Sequence, residues 1–129
     1  MRLDVEKIGD IAVIAPDCSD LNAENMALFK QAMAPVLATH TRIVLDLEQV
    51  RFIDSVGLAT ILSILKHLNT RSGDLKICGL SRSVRTLFEM VRMHRLFEIF
   101  PYREEAVRAS LWSCPWKLLS IVTQPEDSI

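Results

Sequence analysis

Asp54 and Ser55 stand side by side in the segment "RFIDSVGLATIL" (residues 51–62), where side chains able to do chemistry interrupt an apolar pattern. Apolar residues lead up to this pair, and apolar residues at helical spacing resume at Leu58. The pattern predicts that an extended segment ends here and that a helix begins. An acid and a small hydroxyl group are therefore expected at the N-terminal tip of a helix.

Two roles for the serine fit this position. Ser55 can accept a hydrogen bond from one of the first free N–H groups of the helix, a cap that contributes about 1 kcal/mol. In that case Asp54 is a turn residue and Gly57 allows close packing. Alternatively Ser55 accepts a phosphate, which would face free N–H donors and the positive end of the helix dipole. The residues alone leave both roles open.

A phosphate at this tip would act mainly on a bound partner. Phosphorylation adds about −1.5 to −2 charges. A partner that covered the phosphate beside the Asp54 carboxylate, without supplying a cation, would lose several kcal/mol of binding free energy. Phosphorylation of Ser55 is therefore predicted to switch binding while leaving the fold intact.

Enzymatic chemistry has little support in the sequence. No histidine stands in a recognisable relation to Ser55, and "IDSVG" is not the Gly-x-Ser-x-Gly elbow of the α/β hydrolases. The cysteines and histidines have no metal-ligand spacing; they are Cys18, Cys78, Cys114, His40, His67 and His94. We therefore expect a protein that is not an enzyme and has neither a metal site nor a cofactor.

Strand and helix patterns alternate along most of the chain. A hairpin is predicted around Gly9-Asp10, and buried strands at "RIVLDLEQV" and "LKICGL". Helices are predicted after Asn22, expected to cap the first of them, after Ser55, at "SRSVRTLFEMV" and at "REEAVRASLW". The fold class is therefore α/β, a mixed sheet of about four to five strands with about four helices packed on it.

Composition limits the partners. The 129 residues are 50% hydrophobic and carry a formal net charge of −1, so no bulk field attracts the chain to nucleic acid or to an anionic membrane. No apolar run reaches the roughly 20 residues that span a bilayer. We expect a cytoplasmic protein that does not insert into membranes or bind nucleic acid directly.

The order of motifs resembles the STAS domain of bacterial anti-sigma factor antagonists. The resemblance rests on Asp54-Ser55-Val56-Gly57-Leu58 after a buried strand, on "LNAENMALFK" and on "LKICGLSRSVRTLFEMV". It covers residues 2 to 110, approximately. A STAS domain is therefore expected at residues 1–112, and residues 113–129 are expected to form a C-terminal extension that packs back or is partly disordered.

The resemblance implies a function and a set of site residues. In that family the unphosphorylated protein sequesters an anti-sigma factor that is also a serine kinase, which frees a sigma factor. Ser55 would be the phosphoacceptor, Asp54 would position it, and Gly57 would let the partner approach. Asn22 stands where the family has an aspartate. The implied partner surface consists of Asp20, Asn22, Asp54, Ser55, Val56 and Gly57.

Other readings stay open. A serine phosphatase is a further candidate partner, and the C-terminal extension could form a homodimer. Stand-alone proteins of this fold also serve as constitutive docking subunits of lipid-transport or stress-signalling complexes. The uncharged Asn22 leaves room for that role, whereas the intact Asp54-Ser55 pair favours the switch.

Overall fold

The computed structural model describes residues 1–113, so all of the predicted extension except Ser113 lies outside the described residues. The strands are β1 (Leu3–Ile8), β2 (Ile11–Pro16), β3 (Asp20–Leu21), β4 (Arg42–Asp46), β5 (Phe52–Ile53), β6 (Asp74–Cys78) and β7 (Glu98–Phe100). The helices are α1 (Met26–Thr39), α2 (Ser55–Thr70), α3 (Arg82–Met90) and α4 (Arg103–Ser113), and a 3-10 turn spans Met93–Arg95.

Five strands form one mixed sheet in the order β1-β2-β4-β6-β7. β1 pairs with β2 in antiparallel fashion through the predicted hairpin, and the remaining neighbours are parallel. Parallel strands need crossover connections, and α1, α2 and α3 lie in the connections from β2 to β4, from β4 to β6 and from β6 to β7. The α/β fold class, the five strands and the four helices among residues 1–113 confirm the sequence-based prediction.

The two faces of the sheet are packed unequally. The larger core lies on the face covered by α1, α2 and α3, where Phe29, Ile61 and Phe88 are fully buried. The opposite face is covered by α4, whose Ala106 and Val107 pack on the central strands. The alternation of strand side chains between faces explains why every residue of β2 is buried.

Two details of the helices differ from the sequence patterns. Pro35, which could end a helix, lies inside α1, and the helix continues four residues beyond it to Thr39. Val91 follows the buried Val84 and Phe88 at helical spacing in the sequence, but it lies just past the end of α3 and is 50% exposed. The helix ends one residue too early for Val91 to follow its buried face.

Candidate functional site

A two-stranded parallel sheet, separate from the main one, forms the base of the site. Its strands β3 and β5 pair Asp20 with Phe52 and Leu21 with Ile53. One further backbone hydrogen bond joins the two segments just beyond β5, where the N–H of Asp54 donates to the carbonyl of Leu21 at 3.1 Å. The segment that precedes α1 is thereby held beside the start of α2, and Asp20, Asn22 and Asp54 are brought into one region.

Asp54, and not Ser55, caps α2. Its backbone is extended, and its Oδ1 accepts a hydrogen bond from the N–H of Gly57 at 2.9 Å. Its Oδ2 accepts from the N–H of Ala23 at 3.0 Å, which ties the β3–α1 loop to the helix tip. The hydrogen bond from Gly57 is the main cause that lowers the pKa of Asp54, and the one from Ala23 adds to it. Of the two roles left open for Ser55, that of helix cap is therefore wrong.

Ser55 is the first residue of α2, and its side chain is exposed. Within residues 1–113 its hydroxyl group has no hydrogen-bond partner. Val56 beside it is 42% exposed. Because Asp54 caps the first turn of α2, the hydroxyl group of Ser55 is free to react or to contact a partner.

Asn22 stabilises the turn that leads into α1. Its Oδ1 accepts from the N–H groups of Glu24 and Asn25, at 3.0 and 3.2 Å. The side chain of Asn25 accepts a hydrogen bond from the N–H of Asn22 at 3.0 Å through its Oδ1. Its Nδ2 donates to the carbonyl of Asp20 at 2.7 Å. The N-cap position of α1 is Asn25, which makes no side-chain capping bond, whereas Asn22 makes cap-like hydrogen bonds at the start of the turn that leads into the helix. Asp20 is exposed at the edge of this turn.

Gly57 is buried, which gives its small size an internal cause. A Cβ atom at this position would lie 2.6 Å from the carbonyl oxygen of Leu21 and 2.7 Å from Cγ2 of Ile53. The glycine lets α2 begin directly against β3 and β5. Of the two roles considered for Gly57, the structure supports close packing inside the domain, and the role in partner approach stays a prediction.

Apolar residues beside the site were missed by sequence reasoning. Phe52 and Met90 are 54% and 74% exposed. They line a groove of about 180 Å³ between β5 and α3, with Arg51 and Ser83 at its edge. The alternation of "RFID" would have placed Phe52 opposite the buried Ile53, and hence on the surface. No sequence signal placed Met90 next to it.

Asp46, a reactive group outside this site, serves the fold. It is the last residue of β4, where it accepts from the N–H of Glu48 at 3.0 Å and pairs with Arg103 at 2.9 Å. Burial raises the pKa of the Cys78 thiol to about 12, and burial with nearby acids also raises that of Cys18, so neither is a ready thiolate. No cluster of ligands suited to a metal ion occurs in the described part of the chain.

The sequence and the geometry agree with one family. A profile of the STAS domain family matches residues 2–106. The chain belongs to the STAS domain family. Among curated relatives of this STAS domain, BtrV of Bordetella bronchiseptica, described as a candidate anti-sigma factor antagonist, is 32% identical over 117 residues. That alignment covers 89% of this chain and 99% of BtrV.

Solved structures show the same fold. The crystal structure of a candidate anti-sigma factor antagonist from Thermotoga maritima matches with a TM-score of 0.77 at 24% identity, covering 84% of this chain and 93% of that one. The Bacillus cell fate determinant SpoIIAA in its phosphorylated form matches with a TM-score of 0.63 at 18% identity, covering 83% and 97%. Within residues 1–113 of this STAS domain, no helix combines the length and the apolar character needed to cross a membrane.

Proposed function

We propose that this STAS protein is an anti-sigma factor antagonist. Unphosphorylated, it binds an anti-sigma factor that is also a serine kinase, and this sequestration frees a sigma factor. Phosphorylation of Ser55 ends the binding. The observation that carries the proposal is that Asp54 caps α2, so the Ser55 hydroxyl group beside it stays exposed and unbonded.

The unphosphorylated surface is suited to a protein partner. Ser55 and Val56 are exposed at the tip, and Asp20 and Asn22 lie on the loop that Asp54 holds beside it. The groove of Phe52 and Met90 adds apolar area that a partner side chain can bury. Val56, Asp54 and Asn22 are proposed to contact the partner, whereas Gly57 supports the site from inside.

The transfer step requires only an acceptor from this chain. The kinase removes the proton of the Ser55 hydroxyl group, the oxygen attacks the γ-phosphorus of ATP, and ADP leaves with the electron pair of the broken bond. A serine phosphatase reverses the modification by hydrolysis. The protein is therefore proposed to be a binding module and substrate, not an enzyme, in the cytoplasm where ATP and sigma factors are found.

The phosphate would lie beside a carboxylate that is already bound. The sequence suggested that a phosphate on Ser55 would face free N–H donors. The N–H of Gly57 is not free, because it already donates to Asp54. The helix dipole still favours a negative charge here by about 0.3 to 1 kcal/mol, and exposure lets water screen the repulsion from Asp54. A bound partner removes that water, so the repulsion weakens binding much more than it weakens the fold.

A charge placed at Ser55 should release the partner. We expect Ser55→Asp to weaken binding at least tenfold, and Ser55→Ala to bind as the wild type does. Ser63→Asp is the matched control, because Ser63 is exposed on the same helix about two turns from the tip. The measurement is affinity capture from lysate of the native host with each purified variant as bait, with quantification of any captured anti-sigma factor kinase.

The outcomes separate the switch from constitutive docking. Capture of such a kinase by wild type, Ser55→Ala and Ser63→Asp, but not by Ser55→Asp, supports the switch. Equal capture of one partner by all four proteins would contradict it and would favour the docking subunit.

A further inference from the structure

A second apolar surface lies on the opposite face of the sheet from α2. α4 packs on β2, β4, β6 and β7, and a groove of about 470 Å³ separates it from β1. Its floor and wall are apolar, formed by Ile8, Val107 and Leu111, and its rim is charged. Leu111 is 49% exposed, so the wall formed by α4 is left partly uncovered by residues 1–113.

One end of this groove is closed. Arg103 donates to Glu6 at 2.9 Å and pairs with the buried Asp46 at 2.9 Å, which joins the start of α4 to β1 and β4. Leu111 lies eight residues further along the helix, or about 12 Å at 1.5 Å per residue. The apolar part of the groove therefore extends toward the C-terminal end of α4, where the chain continues.

The segment that follows α4 is matched to this groove in position and in chemistry. Pro115 disfavours helical backbone at Cys114, so the chain is expected to leave the helix axis directly after Ser113. Five of the seven residues 116–122 are apolar; they are Trp116, Leu118, Leu119, Ile121 and Val122. In an extended form seven residues span about 23 Å, more than the 12 Å between Arg103 and Leu111.

We infer that residues 116–122 bind in the groove between β1 and α4 of their own chain. The segment starts five residues after Leu111 in the chain, so its local concentration at the groove is high and a short connection suffices. Binding there would bury apolar side chains of the segment and the exposed part of Leu111 together. The extension would then complete the thinner of the two cores, on the side away from Ser55.

Methyl contacts test this placement directly. In nuclear Overhauser spectra of the full chain, labelled at its methyl groups, we expect cross-peaks from Leu118, Leu119, Ile121 or Val122 to Ile8, Val107 or Leu111. Leu111→Gln should remove these cross-peaks and lower the melting temperature by about 4 °C. Leu96→Gln is the matched control, because Leu96 is 54% exposed and does not line the groove; it should change neither.

A variant within the segment keeps the test informative if Leu111→Gln does not fold. Leu119→Gln leaves every residue of the groove unchanged and should also reduce the cross-peaks and the melting temperature. The absence of segment-to-groove cross-peaks in the folded wild type would overturn the inference. Cross-peaks seen only between differently labelled chains in a mixed sample would also overturn it, since they would assign the groove to a second copy.

Discussion

Two helices of this domain begin in different ways, and the difference explains the Asp54-Ser55 pair. At α3 the cap is a serine, since Ser81 Oγ accepts from the N–H of Val84 at 3.3 Å. At α2 the cap is the carboxylate of Asp54, and the serine follows it as the first helical residue. The hydroxyl group of Ser81 is therefore hydrogen-bonded within the fold, whereas that of Ser55 is left exposed.

The neighbouring groups strengthen the contrast. Ser83 at the start of α3 donates to the backbone carbonyl of Arg51 at 3.0 Å, so this helix tip is fixed through its hydroxyl groups. At α2 the same function of joining loops falls to Asp54, through Ala23. A carboxylate cap therefore frees a hydroxyl group for modification at a place where the backbone is well held.

The largest expected difference between the two tips is in phosphorylation. Ser55→Ala should abolish phosphate incorporation by the cognate kinase, whereas Ser81→Ala should leave it unchanged. The measurement is the intact mass of each variant after incubation with kinase and ATP. Phosphate incorporation into Ser55→Ala at the wild-type level would refute the assignment.

The next largest effect concerns the third helical residue, which is Gly57 in α2 and Val84 in α3. Val84 is buried without conflict, whereas a Cβ at position 57 would meet Leu21 and Ile53. Gly57→Ala should therefore lower the free energy of unfolding by about 1 to 3 kcal/mol. Denaturant unfolding measures it, with Ser63→Ala as the control expected to stay within about 0.5 kcal/mol of wild type. A neutral Gly57→Ala would show that α2 can shift away from β3.

Removal of each serine should have opposite consequences for stability and for signalling. Ser81→Ala loses a cap and should cost about 1 kcal/mol of stability. Ser55→Ala loses no hydrogen bond and should remain within about 0.5 kcal/mol of wild type. Equal destabilisation of the two variants in denaturant unfolding would mean that Ser55 also supports the fold.

The smallest expected effect is in pH dependence. The pKa of Asp54 is lowered in the folded protein, so its contribution to stability is present above the unfolded pKa and is lost as pH falls through the folded pKa. The stability difference between wild type and Asp54→Asn should therefore shrink in acid. Melting curves of both proteins from pH 7 downward measure it, and Ser81→Ala should show no such trend relative to wild type. If the stability difference between wild type and Asp54→Asn stayed constant over the whole acid range, the carboxylate of Asp54 would not act as a charged cap.

Much of the fold could be predicted because its elements carry strong local patterns. α2 repeats apolar residues at helical spacing over its whole length, and β4 and β6 read as buried runs. The strands β3 and β5 could not be predicted, since each has two residues and exists only through pairing across 32 positions, from Asp20 to Phe52. That pairing is what brings the first loop to the helix tip.

The site could be located from the sequence but its internal roles could not. Aspartate and serine are both good caps, so local preference does not choose between Asp54 and Ser55. The choice depends on where β5 ends, because Ile53 is the last strand residue and leaves Asp54 extended, in the cap position. In the same way Gly57 is explained only by the approach of Leu21 from a distant part of the chain.

The most direct test of the account is the intact mass, with site mapping, of the protein isolated from its native cells under several growth and stress conditions. The account predicts a fraction of molecules carrying one phosphate, located on Ser55, with Ser81 and Ser83 unmodified. A protein that carries no phosphate under any condition, or carries it on another residue, would contradict the claim that the free serine at the tip of α2 is the switch.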